Sequence, residues 1–173
     1  MENYKEKFRP VLSKNEFKFI TDNLNNGDRL LEYGCGGSTI HFQDMVKEMY
    51  SIEHSEHWYN IISEIVNDNV TLKHIKLNIS SDHLRCDYRD ESHIKLFEPY
   101  YTAAKLFNVD KFDKVFIDGR SRAYCARDVI KYIDENSLVF IHDYTIRDWY
   151  FDIVESHYDI IDKMETMVML KKK

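Results

Sequence analysis

Three of the chain's five glycines, Gly34, Gly36 and Gly37, fall within four residues, directly after the apolar run Arg29-Leu30-Leu31-Glu32-Tyr33. Glycine at such a turn lets the backbone bend sharply and approach a ligand closely. Two carboxylates flank it. Glu53 ends the next apolar run, Met49-Tyr50-Ser51-Ile52-Glu53, where a carboxylate accepts hydrogen bonds from ribose hydroxyls. Glu32 stands just before the turn, placed to face a cationic amine. Two later apolar runs end in Asp118-Gly119-Arg120-Ser121-Arg122 and His142-Asp143-Tyr144. Asp118 and His142 are candidates for a base that takes a proton from a hydroxyl, with Asp143 as orienter. Arg120 and Arg122 suit bidentate binding of a carboxylate or phosphate. The plain alternatives are that Asp118 caps the following helix, that His142 is a satisfied core residue, and that one arginine pairs with Asp118 or Asp143.

The spacing of the glycines narrows the ligand. A dinucleotide fingerprint, GxGxxG, requires glycine at 34, 36 and 39, and this chain has Thr39 at the last position. Gly37-Ser38-Thr39 instead suits a ligand without a pyrophosphate. An adenosine-like ligand with a positive end describes S-adenosylmethionine better than NAD.

These residues need elements that bring them together. Residues 13–24 have the period of an amphipathic helix, with Phe17, Ile20 and Leu24 on one face. Residues 29–33, 49–53, 70–77, 114–117, 137–141, 158–164 and 166–170 read as strands. Between them, helices are expected from Ser38 or Thr39 to about residue 46, then at 56–66, 99–107, 122–133 and 147–156. Ser55 is placed to cap the second of these, whose apolar stripe is Trp58, Ile61, Ile62 and Ile65. Strand–helix alternation predicts a parallel sheet with helices on both faces. The last two strands are joined too tightly to be parallel, so they form an antiparallel hairpin. The expectation is an α/β, doubly wound, mostly parallel, seven-stranded Rossmann-like sheet with a C-terminal antiparallel hairpin. In such sheets ligands bind outside the carboxyl ends of the strands, which is where the chemistry-bearing residues fall. Residues 1–27 are expected as a helical extension of this single domain. Residues 78–98, polar and histidine-rich, read as a long loop of the kind that is often functional.

Composition excludes much else. A chain of 173 residues with 43% hydrophobic content predicts one globular domain. Cys35, Cys86 and Cys125 are too few and too scattered for a disulfide framework or a structural zinc site. The net charge of −6 argues against duplex nucleic acid as a partner, although a local basic pocket remains compatible with it. The opening residues lack the apolar core of a signal peptide, and no apolar run reaches the roughly 20 residues of a membrane span. A soluble, cytoplasmic protein is the expectation.

The run Leu31-Glu32-Tyr33-Gly34-Cys35-Gly36-Gly37-Ser38-Thr39 resembles motif I of class I S-adenosylmethionine-dependent methyltransferases. Its E-Y-G-[SC]-G-G-S-T form is similar to that of a subset of small enzymes that includes sugar and polysaccharide methyltransferases. Ser51-Ile52-Glu53-His54 with Trp58 resembles that subset's second motif. Phe116-Ile117-Asp118-Gly119-Arg120-Ser121-Arg122 resembles its fourth, and Phe140-Ile141-His142-Asp143-Tyr144 the strand-five motif. The resemblance covers about residues 28–150 and has no counterpart for residues 78–98. It implies a methyltransferase acting on a hydroxyl or amine of a sugar, nucleotide sugar or glycan, and Arg120 and Arg122 point to an anionic one. It implies cofactor contacts from Glu32, Gly34, Gly36, Gly37, Ser38, Thr39, Glu53, His54 and Asp118, and substrate contacts from Arg120, Arg122 and Tyr144. A magnesium variant is also implied. Catechol-type relatives hold the metal through residues at the positions of Asp118 and Asp143, but Tyr144 stands where their third ligand, an asparagine, belongs. A non-catalytic module that keeps the fold is the rival reading.

Overall fold

Apolar residues run through the central strands without a polar face, which marks a sheet buried on both sides. The computed structural model describes residues 4–77 and 91–173. It contains β1 (Arg29–Tyr33), β2 (Glu48–Glu53), β3 (Val70–His74), β4 (Lys114–Ile117), β5 (Leu138–Ile141), β6 (Tyr158–Met164) and β7 (Met167–Lys172). They form one seven-stranded sheet of order β3-β2-β1-β4-β5-β7-β6. The first five strands are parallel to their neighbours; β7 pairs antiparallel with both β5 and β6. The chain reverses its direction of travel between β1 and β4, so the switch point of the sheet lies there.

The helices are α1 (Tyr4–Lys7), α2 (Lys14–Thr21), α3 (Gly37–Phe42), α4 (Glu56–Ser63), α5 (Glu91–Leu96), α6 (Glu98–Tyr101), α7 (Arg122–Val129) and α8 (Phe151–Glu155). Strand alternation sorts the core onto two faces. Leu31, Tyr33, Val115, Ile117, Val139 and Ile141 belong to the larger cluster, with Tyr100, Ala126 and Val154 of the covering helices. Leu30, Phe116 and Phe140 face the other way and pack with Phe19 and Ile20 of α2 and Phe42 of α3. Phe116 and Phe140 are fully buried, and truncating either to alanine should cost about 3–5 kcal/mol.

Several expected elements are shorter than their apolar pattern suggested. The helix expected over 122–133 ends as α-helix at Val129 and continues as a 3-10 turn, Ile130–Tyr132. The helix expected over 147–156 begins as a 3-10 turn at Asp148–Tyr150. The loop expected over 78–98 lies outside the described residues as far as residue 90. From Glu91 the chain is helical, because Ile94 and Leu96 pack against the larger core cluster and Phe97 is fully buried. No helix among the described residues is long and apolar enough to cross a membrane.

Candidate active site

The carboxyl ends of β1, β2, β4 and β5 open into a cavity of about 550 Å³. Its floor is the glycine turn. Gly34 has φ +97°, a left-handed conformation that disfavours any side chain, and a Cβ there would sit 2.8 Å from the Gly119 backbone. A Cβ on Gly37 would strike the Arg9 carbonyl group. Gly36 differs: a Cβ built on it meets nothing within 4 Å. It therefore presents bare backbone to open space on the cavity wall.

Glu32 and Glu53 divide their work by register. Glu32 pairs with Ser51 across β1 and β2, and it faces the same side as Leu30, beneath α3. It is fully buried, and three hydroxyls donate to it: Ser38 Oγ at 2.5 Å, Thr39 Oγ1 at 2.6 Å and Ser51 Oγ at 2.6 Å. Burial outweighs these donors and pushes its carboxyl up to about 7. The expectation that Glu32 faces a cationic amine is thus corrected: it braces the turn from behind and does not reach the cavity wall. Thr39 is also fully buried, accepting from Gly36 N–H at 2.9 Å while it donates to Glu32, so its part is to fix the turn. Ser38 lines the wall, although its hydroxyl points to Glu32.

Glu53 lies one register step beyond the β1 pairing and does reach the cavity. Its Oε2 accepts from Cys35 N–H at 2.9 Å, and its Oε1 from the backbone of His54 at 2.8 Å and Ser55 at 2.6 Å. A carboxylate offers about four lone-pair directions, so Oε2 keeps one for a further donor. His54 lines the same wall; its Nδ1 is buried 3.0 Å from Glu53 Oε1 without a hydrogen-bonded partner among the described residues. The Cys35 thiol is buried, and burial raises its pKa far above the usual thiol range, which leaves it un-ionised.

The opposite wall is a charged cluster. Asp118 Oδ1 is 2.7 Å from His142 Nδ1 and 3.2 Å from Arg122 Nη2. Arg122 also reaches Asp143 Oδ2 at 3.1 Å and donates to the carbonyl groups of His142 and Gly119. Arg147 Nη2 holds the same Asp143 oxygen at 3.2 Å. Burial opposes the charge of Asp143, but Arg122, His142 and Arg147 together hold its carboxyl below the usual range. His142 shows the same contest. Burial pulls its imidazole down, and the Asp118 hydrogen bond with the charges of Asp118 and Asp143 more than offsets it, so its pKa is raised.

Two of the three substrate-contact expectations change at this wall. Arg122 borders the cavity, but it is buried and its guanidinium is held by Asp118 and Asp143, which gives it a structural partner set in place of a substrate anion. Arg120 does line the cavity, and it has no ion pair among the described residues. Tyr144 is almost fully buried, donates to Glu155 Oε1 at 3.0 Å and packs its ring at a tilt against Phe151, so it belongs to the core. Asp143, with φ +56°, turns the chain and carries Tyr144 inward.

The magnesium variant does not fit either. Asp118 and Asp143 are bridged by the Arg122 guanidinium, a cation already standing between them. Among the described residues no group of three or more His, Cys, Asp or Glu side chains could hold a metal.

Two contributors escaped the sequence reading. Lys7, Phe8, Arg9 and Val11 of the N-terminal segment border the cavity, as does the exposed Trp58 of α4. Glu16 of α2 brings its carboxylate to 3.4 Å from His142 Nε2. The Ser13-x-x-Glu16 spacing signals a capping box, which is present, but nothing in that signal points to the site.

The chain matches no family profile and no curated protein. Solved structures are similar to it in fold. A methyltransferase-like protein from Silicibacter pomeroyi is 18% identical, with a TM-score of 0.80 over 96% of this chain and 89% of that one. A putative methyltransferase from Streptococcus mutans in complex with SAH (S-adenosylhomocysteine) is 11% identical, with a TM-score of 0.56 over 94% of this chain and 100% of that one. An rRNA methylase from Streptococcus thermophilus is 10% identical, with a TM-score of 0.61 over 94% and 99%. The chain has the fold of class I S-adenosylmethionine-dependent methyltransferases.

Proposed function

We propose that this protein is an S-adenosylmethionine-dependent methyltransferase whose acceptor is a hydroxyl, or an amine, on a small anionic molecule. One observation carries the reading: a bare glycine backbone and a carboxylate with a free lone pair form one wall of a cavity whose other wall holds Asp118. Gly36 and Gly34 fit the close approach of a cofactor, and Glu53 Oε2 fits a ribose hydroxyl. When bound, S-adenosylmethionine supplies an electrophilic methyl carbon on a sulfonium. The protein's residues then hold the acceptor in line, which removes much of the entropic barrier. Asp118 receives the acceptor's proton, and His142 orients Asp118 through Nδ1.

The guanidinium of Arg120, which has no ion pair among the described residues, and Arg9 on the same lining support an acceptor carrying phosphate or carboxylate. A nucleotide sugar or uronate has that chemistry, and the motif resemblance favours a sugar or glycan. The acidic chain argues against a nucleic-acid acceptor. No step needs a metal.

Calorimetry with S-adenosylhomocysteine, followed by methyl transfer to a panel of nucleotide sugars and uronates, tests the reading. Binding with transfer supports it. Binding without transfer to any acceptor favours a non-catalytic module. No binding at all overturns it.

A further inference from the structure

The mechanism leaves the other side of His142 unexplained. Its Nδ1 is committed to Asp118 at 2.7 Å, while its Nε2 faces Glu16 Oε2 at 3.4 Å and Asp143 Oδ1 at 3.7 Å. A neutral imidazole has one donor and one acceptor nitrogen, so it would aim a lone pair at one of these carboxylates. A doubly protonated ring satisfies both sides. The charges around it agree. Asp118 at the end of β4, Asp143 beside it and Glu16 on α2 are three carboxylates, set against the two guanidiniums Arg122 and Arg147. A protonated His142 closes that balance.

Glu16 is built for the purpose. It is buried on the surface-facing helix α2, and its Oε1 accepts from Thr166 N–H at 3.1 Å and Thr166 Oγ1 at 2.6 Å. Its Oε2 accepts from Ser13 N–H at 3.1 Å. The helix cap and the β6–β7 turn thus fix one carboxylate against the ring edge that Asp118 does not use.

We propose that Glu16 is a positioning residue of the active site: it holds His142 in a fixed, doubly protonated form, so that His142 orients Asp118 and is not itself the proton acceptor. The consequence for turnover rests on the methyltransferase reading; the state of the imidazole does not.

The test is an NMR titration of the His142 ring nitrogens in wild type, Glu16→Gln and Ser13→Ala. Glu16→Gln keeps the shape and an oxygen for Thr166 but removes the charge, and losing an opposite charge at this range lowers a histidine pKa by about one unit or more. Ser13→Ala weakens the cap without touching that charge, so its titration should follow the wild type. A purely structural Glu16 would instead leave the Glu16→Gln curve superimposed on that of wild type, and that result overturns the proposal. A wild-type ring carrying a single proton at pH 6 overturns it too, and that measurement stands even if Glu16→Gln fails to fold. In turnover, the alkaline limb of kcat/KM should move down with the imidazole titration while the cofactor KM holds. If no cofactor binds, the functional reading fails, and the titration still decides the role of Glu16.

Discussion

Gly36→Ala separates a glycine kept for the ligand from glycines kept for the fold. At Gly36 φ is 169°, an extended conformation open to any residue, and a Cβ meets nothing within 4 Å. The free protein should keep its stability, or gain about 0.4–1 kcal/mol by restricting the unfolded chain. The methyl group projects into the space where a ligand must lie against the backbone. An extra methyl against a packed surface costs about 1–3 kcal/mol, which is roughly a 5- to 150-fold loss of affinity. Gly34→Ala should behave in the opposite way. Its φ of +97° and the 2.8 Å approach to Gly119 strain the fold itself. A loss of about 1–3 kcal/mol there lowers Tm by roughly 2–12 °C in a chain of this length. Calorimetry with S-adenosylhomocysteine and thermal unfolding read the two effects separately. A Gly36→Ala protein that binds within twofold of wild type would refute the cradle, as would one whose Tm falls as far as that of Gly34→Ala.

Glu53→Gln should weaken S-adenosylhomocysteine binding by about 1.5–3 kcal/mol, as for a lost hydrogen bond to a charged group, while Glu53→Ala should also lower Tm because three backbone N–H groups lose their acceptor. Arg120→Gln should raise the acceptor KM and leave Tm unchanged; Arg122→Gln should cost about 3 kcal/mol of stability by stranding Asp118 and Asp143, and equal effects on KM from the two would contradict their separate roles. Because folding raises the Glu32 carboxyl from 4.5 to about 7, its contribution is full below pH 4.5 and is lost as pH rises through 7, a decline of about 3 kcal/mol. Denaturant titrations should show that decline in wild type and a flatter profile in Glu32→Gln. EDTA should leave methyl transfer intact, and a loss reversed by magnesium would return Asp118 and Asp143 to the role of ligands.

The strand–helix alternation, the terminal hairpin and the glycine turn were legible in the sequence because each depends on short-range pattern. A parallel sheet buried on both faces writes itself as apolar runs, and a tight turn before a helix demands glycine. The placement of Asp118, His142 and Asp143 at strand ends followed from the same rule, since parallel strands deliver their carboxyl ends to one edge. What the pattern could not carry was the set of neighbours among which each residue lands. Glu32 and Glu53 look equivalent, each near the end of its strand, yet Glu32 sits opposite Ser51 under α3 among three hydroxyls, while Glu53, two residues beyond Ser51 and past the β1 pairing, reaches the cavity. Arg120 and Arg122 look like a pair, yet only the packed structure turns Arg122 into the counter-ion of two carboxylates and leaves Arg120 open. Glu16 lies 126 positions before the histidine it faces, a separation that no local spacing encodes. Local sequence determines which elements form and which chemistry they carry. The tertiary structure, by register and by the burial of opposite charges against one another, decides which of those groups remain free to meet a ligand.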